Sequence, residues 1–223
     1  MFGFIKNRQI IPNVFKDYSQ YEINYIFLNF YNALNESDMK IPYKYAKVAK
    51  NLKDIFKLYI QDLLESGDDF EQCVYSKEII EIYKKNGFCN SLKYQIPDLI
   101  PAKLILNVFF QEEFLIDPQV VFENFVFDKI AKTNPKLKIN IKDNLCIIGN
   151  KMAISAKFFQ DEKNDIDYAL RIISQNSFDK FYIVYPRSKK FTQYKQIRHF
   201  LCENNNTLLK LVPYTINNQI LRR

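Results

Sequence analysis

Residues 136–159 read KLKINIKDNLCIIGNKMAISAKFF, and this stretch decides the fold class. Leu137, Ile139 and Ile141 alternate with Lys136, Lys138, Asn140 and Lys142, the period of two expected of a half-buried strand. Asp143-Asn144 supplies a turn, Leu145–Ile148 a second strand, Gly149-Asn150 another turn, and Met152–Phe159 a third strand. Three strands joined this closely can pair only as an antiparallel meander.

Downstream, Asp165–Gln175 reads as an amphipathic helix carried by Ile166, Ala169, Leu170, Ile172 and Ile173. Phe181–Tyr185 is a continuous apolar run stopped by Pro186, which fits a strand covered on both faces. A helix is predicted over Tyr194–Cys202 and a last strand over Thr207–Tyr214. Upstream the period is helical. Tyr45, Val48, Leu52, Ile55, Phe56, Tyr59, Ile60 and Leu63 recur at three- and four-residue steps, with Lys47, Lys50, Lys53 and Lys57 on the other, solvated side. Further helices are expected over Ser76–Lys85, Ala102–Phe114 and Gln119–Lys132, the last with Val120, Val121, Phe125, Ile130 and Ala131 as its apolar side. The order defines an α+β chain: a helical N-terminal region, 1–117, followed by a mixed β-sheet domain with flanking helices, 118–223.

Charge follows the same division. Of 223 residues, 32 are Lys or Arg and 25 Asp or Glu, a net +7. Residues 1–128 hold 14 basic and 18 acidic residues, a net of −4, whereas residues 129–223 hold 18 and 7, a net of +11. An AT-rich coding bias would raise Lys evenly along the chain, so the basic second part points to an anionic partner. Cys73, Cys89, Cys146 and Cys202 are scattered without a CxxC pair, which excludes a zinc ribbon and a disulfide scaffold. Cys146 and Cys202 are expected as buried free thiols. No apolar run reaches the ~18 residues of a membrane span, and the N-terminus lacks a signal-peptide core, so a cytoplasmic protein without a membrane partner is expected. Neither GxGxxG, GxxxxGK[ST] nor GxSxG occurs, against dehydrogenases, P-loop NTPases and serine hydrolases. His199, the only histidine, is placed inside a helix as a structural residue.

A helix, a three-strand meander, a helix and a fourth strand, with Asp143 before the second strand and Lys157 on the third, resembles the core of the PD-(D/E)XK nuclease superfamily over residues 118–186. That group includes Mrr-like restriction endonucleases and archaeal Holliday-junction resolvases. The resemblance implies a restriction-endonuclease-like fold and a site of Asp143 and Lys157 with Glu123 from the preceding helix. In such a site carboxylates hold Mg²⁺, here Asp143, and the Lys stabilises charge beside the attacking water. Ser155 stands where the family carries its second acid. The resemblance therefore implies a catalytically degenerate relative that keeps the shape and the grip on nucleic acid, DNA rather than RNA. An active Mg²⁺-dependent nuclease is the alternative.

The densest cations follow the buried strand, in Pro186-Arg187-Ser188-Lys189-Lys190-Phe191-Thr192-Gln193-Tyr194-Lys195. Lys151, Arg187, Lys189, Lys190, Lys195 and Arg198 are candidates for phosphates, and Phe191 and Tyr194 for stacking on bases. Ser188 or Thr192 could cap the next helix. A second partner class comes from the other half of the chain. Tyr18, Tyr21, Tyr25, Phe27, Phe30 and Tyr31 cluster in the acidic half and suit a protein partner or a second copy of the chain.

Overall fold

The computed structural model describes residues 1–34, 40–66, 112–149 and 151–216. Cys73, Cys89, the expected helix Ser76–Lys85 and the last seven residues lie outside them. The chain divides into two compact units, Met1–Asp117 and Pro118–Arg223. The class is α+β, with helices, a small antiparallel sheet and a mixed six-stranded sheet. Among the described residues no helix is long and apolar enough to cross a membrane.

The first unit is not wholly helical, contrary to the sequence reading. It opens with a hairpin, β1 (Phe2–Ile5) and β2 (Arg8–Ile10), and β1 also pairs antiparallel with β3 (Glu113–Ile116), giving the order β2-β1-β3. The end of the expected helix Ala102–Phe114 is therefore strand from Glu113 onward. Gly3 is required where β1 and β3 meet: its φ is +151°, and a Cβ there would run into the Phe114 carbonyl oxygen.

Next come α1 (Gln20–Leu34), α2 (Lys44–Val48) and α3 (Leu52–Ser66), with α1 and α3 packing on this sheet through Phe27 and Phe56 and α2 packing on those two helices. The first of these starts with a capping box. The Ser19 backbone N–H donates to Glu22 Oε2 at 2.7 Å, and Glu22 N–H donates to Ser19 Oγ at 3.4 Å. The expected single helix through Tyr45–Leu63 breaks at Ala49, which is extended. Asn51 restarts it as a cap, accepting from the Asp54 N–H at 2.9 Å. The fully buried Asn24 donates to the Ala49 carbonyl at 2.8 Å and the Ala46 carbonyl at 3.3 Å, satisfying the helix end that the break exposes. Two residues leave their expected faces: Val48 is 66 % exposed, and Lys53 is buried. The core is aromatic, with Phe2, Phe27, Phe30 and Phe56 all fully buried and Tyr25 and Tyr31 nearly so. Phe2 packs edge-on to Phe27 with centroids 5.1 Å apart. The aromatics that suggested a docking face are thus mostly this unit's interior.

The second unit begins with α4 (Pro118–Thr133), followed by the meander β4 (Ile139–Lys142), β5 (Leu145–Ile148) and β6 (Met152–Ala156). Then come α5 (Glu162–Gln175), β7 (Lys180–Pro186), β8 (Lys195–Ile197), α6 (Phe200–Asn204) and β9 (Leu208–Tyr214). The strand order is β4-β5-β6-β7-β9-β8, antiparallel at both edges and parallel through β6, β7 and β9. Asp143 and Asn144 take φ of +52° and +60°, the type I′ pattern that matches strand twist in a two-residue hairpin.

Ala153, Phe181, Ile183, Tyr185, Leu209 and Leu211 line one sheet face and pack with Ala169, Leu170 and Ile173 of α5 and Cys202 of α6. Cys146 and Cys202 are buried free thiols. The buried side of α4 is Val121, Phe122, Val126 and Phe127, whereas Val120 is 53 % exposed.

Three expectations for this unit are corrected. β4 is an edge strand with Ile141 58 % exposed, so the alternation there does not mark a half-buried strand. The third strand ends at Ala156. The expected helix Tyr194–Cys202 is instead β8, paired with β9, followed by the short α6.

Candidate functional site

The C-terminal end of β6 is fixed to the first turn of α4 by one side chain. Gln119 accepts from the Phe158 N–H at 2.7 Å and donates to the Ala156 carbonyl at 3.1 Å. Gln119 also reaches Glu123 Oε2 at 3.5 Å, one helical turn on. The Lys157 ammonium stands 5.2 Å from the ring centroid of Tyr168 on α5, and the Tyr168 hydroxyl donates to the Asp143 backbone carbonyl at 3.3 Å. Lys157 and the Asp143 backbone thus meet at Tyr168, and Glu123 lies within electrostatic reach of both Tyr168 and Lys157. The charges act on one another as that geometry requires. Burial raises the Glu123 carboxyl above its ordinary value, against the opposing effects of Gln119 and the Lys157 charge. Burial also raises the Tyr168 hydroxyl, reinforced by the negative charges of Asp143 and Glu123.

Ser155 lies two residues before Lys157, opposite Ile183, and is 1 % exposed. Among the described residues its hydroxyl has no hydrogen-bond partner. Mg²⁺ takes near-octahedral oxygen coordination with carboxylates as anchors. Here the position adjoining Lys157 offers only a neutral, enclosed hydroxyl. Among the described residues no three His, Cys, Asp or Glu side chains are grouped to hold a metal ion. This donor set does not fit Mg²⁺.

The cations expected as one patch are divided. Ser188 and Phe191 close a tight turn, Phe191 N–H donating to the Ser188 carbonyl at 3.1 Å, which puts Lys189 and Lys190 at an exposed tip beyond β7. Ser188 therefore caps a turn, not a helix. Arg187 is exposed at the same end. Lys151 stands before β6 at the other end of the parallel strands, roughly 20 Å away at ~3.3 Å per residue, and lies 4.0 Å from Asp179. Lys195 pairs with Glu162 at 2.9 Å. Phe191 is 9 % exposed and packs edge-on to Tyr185, so it is a core residue and not a stacking one. Tyr194 is 63 % exposed, and Arg198, also exposed, follows a strand and not a helix turn. His199 precedes α6 and caps it, its Nδ1 accepting from the Leu201 N–H at 3.2 Å.

Sequence reasoning missed Gln119 and Tyr168. Gln119 was detectable as a polar residue four before Glu123 on the first turn after Asp117-Pro118. Tyr168 carried no signal apart from its place beside the apolar side of α5. Comparison with protein-family models, curated proteins and solved structures finds no significant match.

Proposed function

We propose that the chain is a nucleic-acid-binding protein whose second unit is a degenerate, non-cleaving relative of the PD-(D/E)XK nucleases. The element order α4-β4-β5-β6-α5-β7 supports the kinship, as does the meeting of Lys157 and the Asp143 backbone at Tyr168 with Glu123 within electrostatic reach. The observation that carries the non-cleaving part is Ser155, a buried neutral hydroxyl, without a partner among the described residues, where cleavage chemistry needs a charged metal ligand. The binding part rests on the +11 charge of residues 129–223 and on the Lys189-Lys190 tip at the carboxyl end of a parallel strand, where α/β sheets meet their ligands.

Retention on DNA across a salt series tests binding. Lys189→Ala with Lys190→Ala is expected to weaken it and reduce the salt slope by roughly 2. An unchanged slope removes the tip from the interface. Incubation with Mg²⁺ tests the absence of cleavage. Cutting by the wild type that is lost in Lys157→Ala would overturn it.

A further inference from the structure

The sheet face turned away from α5 is partly covered by α4, whose Phe122 and Phe125 lie edge-on to Tyr214 at the end of β9, and it opens toward β8. Register sets Ile154, Tyr182, Lys210 and Gln196 side by side across β6, β7, β9 and β8. Burial fades along this row: Ile154 is 6 % exposed, Tyr182 and Lys210 are half-buried, and Gln196 is exposed on the outermost strand. Beside Gln196, the Lys210 ammonium stands 4.3 Å from the ring centroid of Tyr194, so the face of that ring away from Lys210 is the one open to solvent. Past the other end of β8, Phe200 is 61 % exposed, with Arg198 exposed two residues before it. These strands are themselves free of acid, with no Asp or Glu in residues 181–202 or 204–223, and Glu162 of α5 is paired with Lys195 of β8.

We infer that the open, β8 side of this face is a platform for single-stranded nucleic acid, with a base stacking on Tyr194 and phosphates meeting Arg198 and Lys210. This rests on the reading that the chain binds nucleic acid and specifies which kind. An exposed ring backed by a cation gains most from a flat, electron-rich base, and only unpaired bases present their faces. In a duplex those faces are stacked inside, so Tyr194 would touch only backbone. The absence of acid along β7, β8 and β9 complements a polyanion. The Lys189-Lys190 tip, by contrast, serves phosphates of either form. Sequence reading named Tyr194 and Arg198 but not their neighbour Lys210, which lies on another strand.

The test compares full-length wild type, Tyr194→Ala, Tyr194→Phe and Lys189→Ala/Lys190→Ala by fluorescence anisotropy. The probes are oligomers of about 20 nucleotides as single-stranded DNA, single-stranded RNA and duplex DNA at one fixed salt concentration. The wild type is expected to prefer a single strand. Tyr194→Ala should lose about tenfold on that strand and little on the duplex, while Tyr194→Phe keeps wild-type affinity. The two single-stranded probes then identify the sugar that is preferred. Circular dichroism melting checks that the variants fold, as expected for a side chain this exposed. Equal or tighter duplex binding, reduced in the Lys189/Lys190 variant, would overturn the platform and leave nucleic-acid binding standing. Binding to no probe at low salt would overturn both. Self-association that depends on Tyr194 and ignores oligonucleotide would assign the face to a second copy and overturn the platform.

Discussion

The Nζ of Lys53 lies 2.8 Å from Oε1 of Glu112, with the Lys side chain 7 % exposed and the Glu side chain 25 % exposed. Fifty-nine residues separate the two in sequence. A nearly buried ammonium is costly without a counter-charge, so each partner holds the other in place. Lys53→Met is expected to lower stability in urea by about 1–3 kcal/mol, because it leaves Glu112 partly enclosed without its cation. Lys53→Met combined with Glu112→Leu should recover most of that loss. Strictly additive single and double variants would show that the pair is not coupled.

Lys53 also shows where sequence reading ended. Its spacing from Lys50 and Lys57 placed it on a solvated face, and nothing local could reveal a carboxylate arriving beside β3. The meander was legible because its strands pair with neighbours a few residues away. Asp143-Asn144 names its turn, and Leu145–Ile148 and Met152–Ala156 follow at once. The pairing of β1 with β3 joins Phe2 to Ile116, and neither partner advertises it. Residues 194–202 were misread because Ile197 and Leu201 happen to fall at helical spacing, whereas the ladder from Ile197 to Leu209 fixes Lys195–Ile197 as strand and helix begins only at Phe200. In the candidate site, Asp143, Lys157 and Glu123 were legible as residue types at a spacing. Tyr168 was not, because its role arises only when α5 folds over β6.

Gly3 and Gly149 both have positive φ, +151° and +58°, but only Gly3 faces another strand's backbone. Gly3→Ala is expected to cost at least about 2 kcal/mol in urea unfolding, since the added methyl group and the Phe114 carbonyl cannot share one place. Gly149→Ala meets nothing within 4 Å among the described residues, which leaves the backbone penalty of about 1–2 kcal/mol. A Gly3→Ala chain as stable as Gly149→Ala would refute the close approach of β1 and β3.

The Ser155 hydroxyl is enclosed without a partner among the described residues, so its burial gives up water without compensation there. Ser155→Ala removes that group and keeps the Cβ, so stability is expected to stay level or rise by up to about 1 kcal/mol. Ser155→Asp should instead be destabilising, because it brings a charge into the same enclosed position. A loss of more than about 1 kcal/mol in Ser155→Ala would mean that the hydroxyl has a buried partner and that its place beside Lys157 is built around it.

Glu123 gives the site a pH signature with a definite sign. Burial raises its carboxyl in the folded chain, and the Lys157 charge only partly opposes this. The folded state therefore binds this proton more tightly than the unfolded state does. Stability from this group is complete below the ordinary Glu range and is lost as pH rises through the folded value. Gln mimics the protonated acid at every pH and keeps an oxygen for Gln119. The melting temperature of Glu123→Gln should thus match the wild type near pH 4 and exceed it increasingly toward pH 7, from about the unfolded Glu value upward. If Lys157 outweighed burial, the difference would reverse and the variant would be the less stable protein at pH 7. Melting curves across that interval, repeated in Lys157→Ala, separate the two effects: without the cation, the advantage of Glu123→Gln should grow.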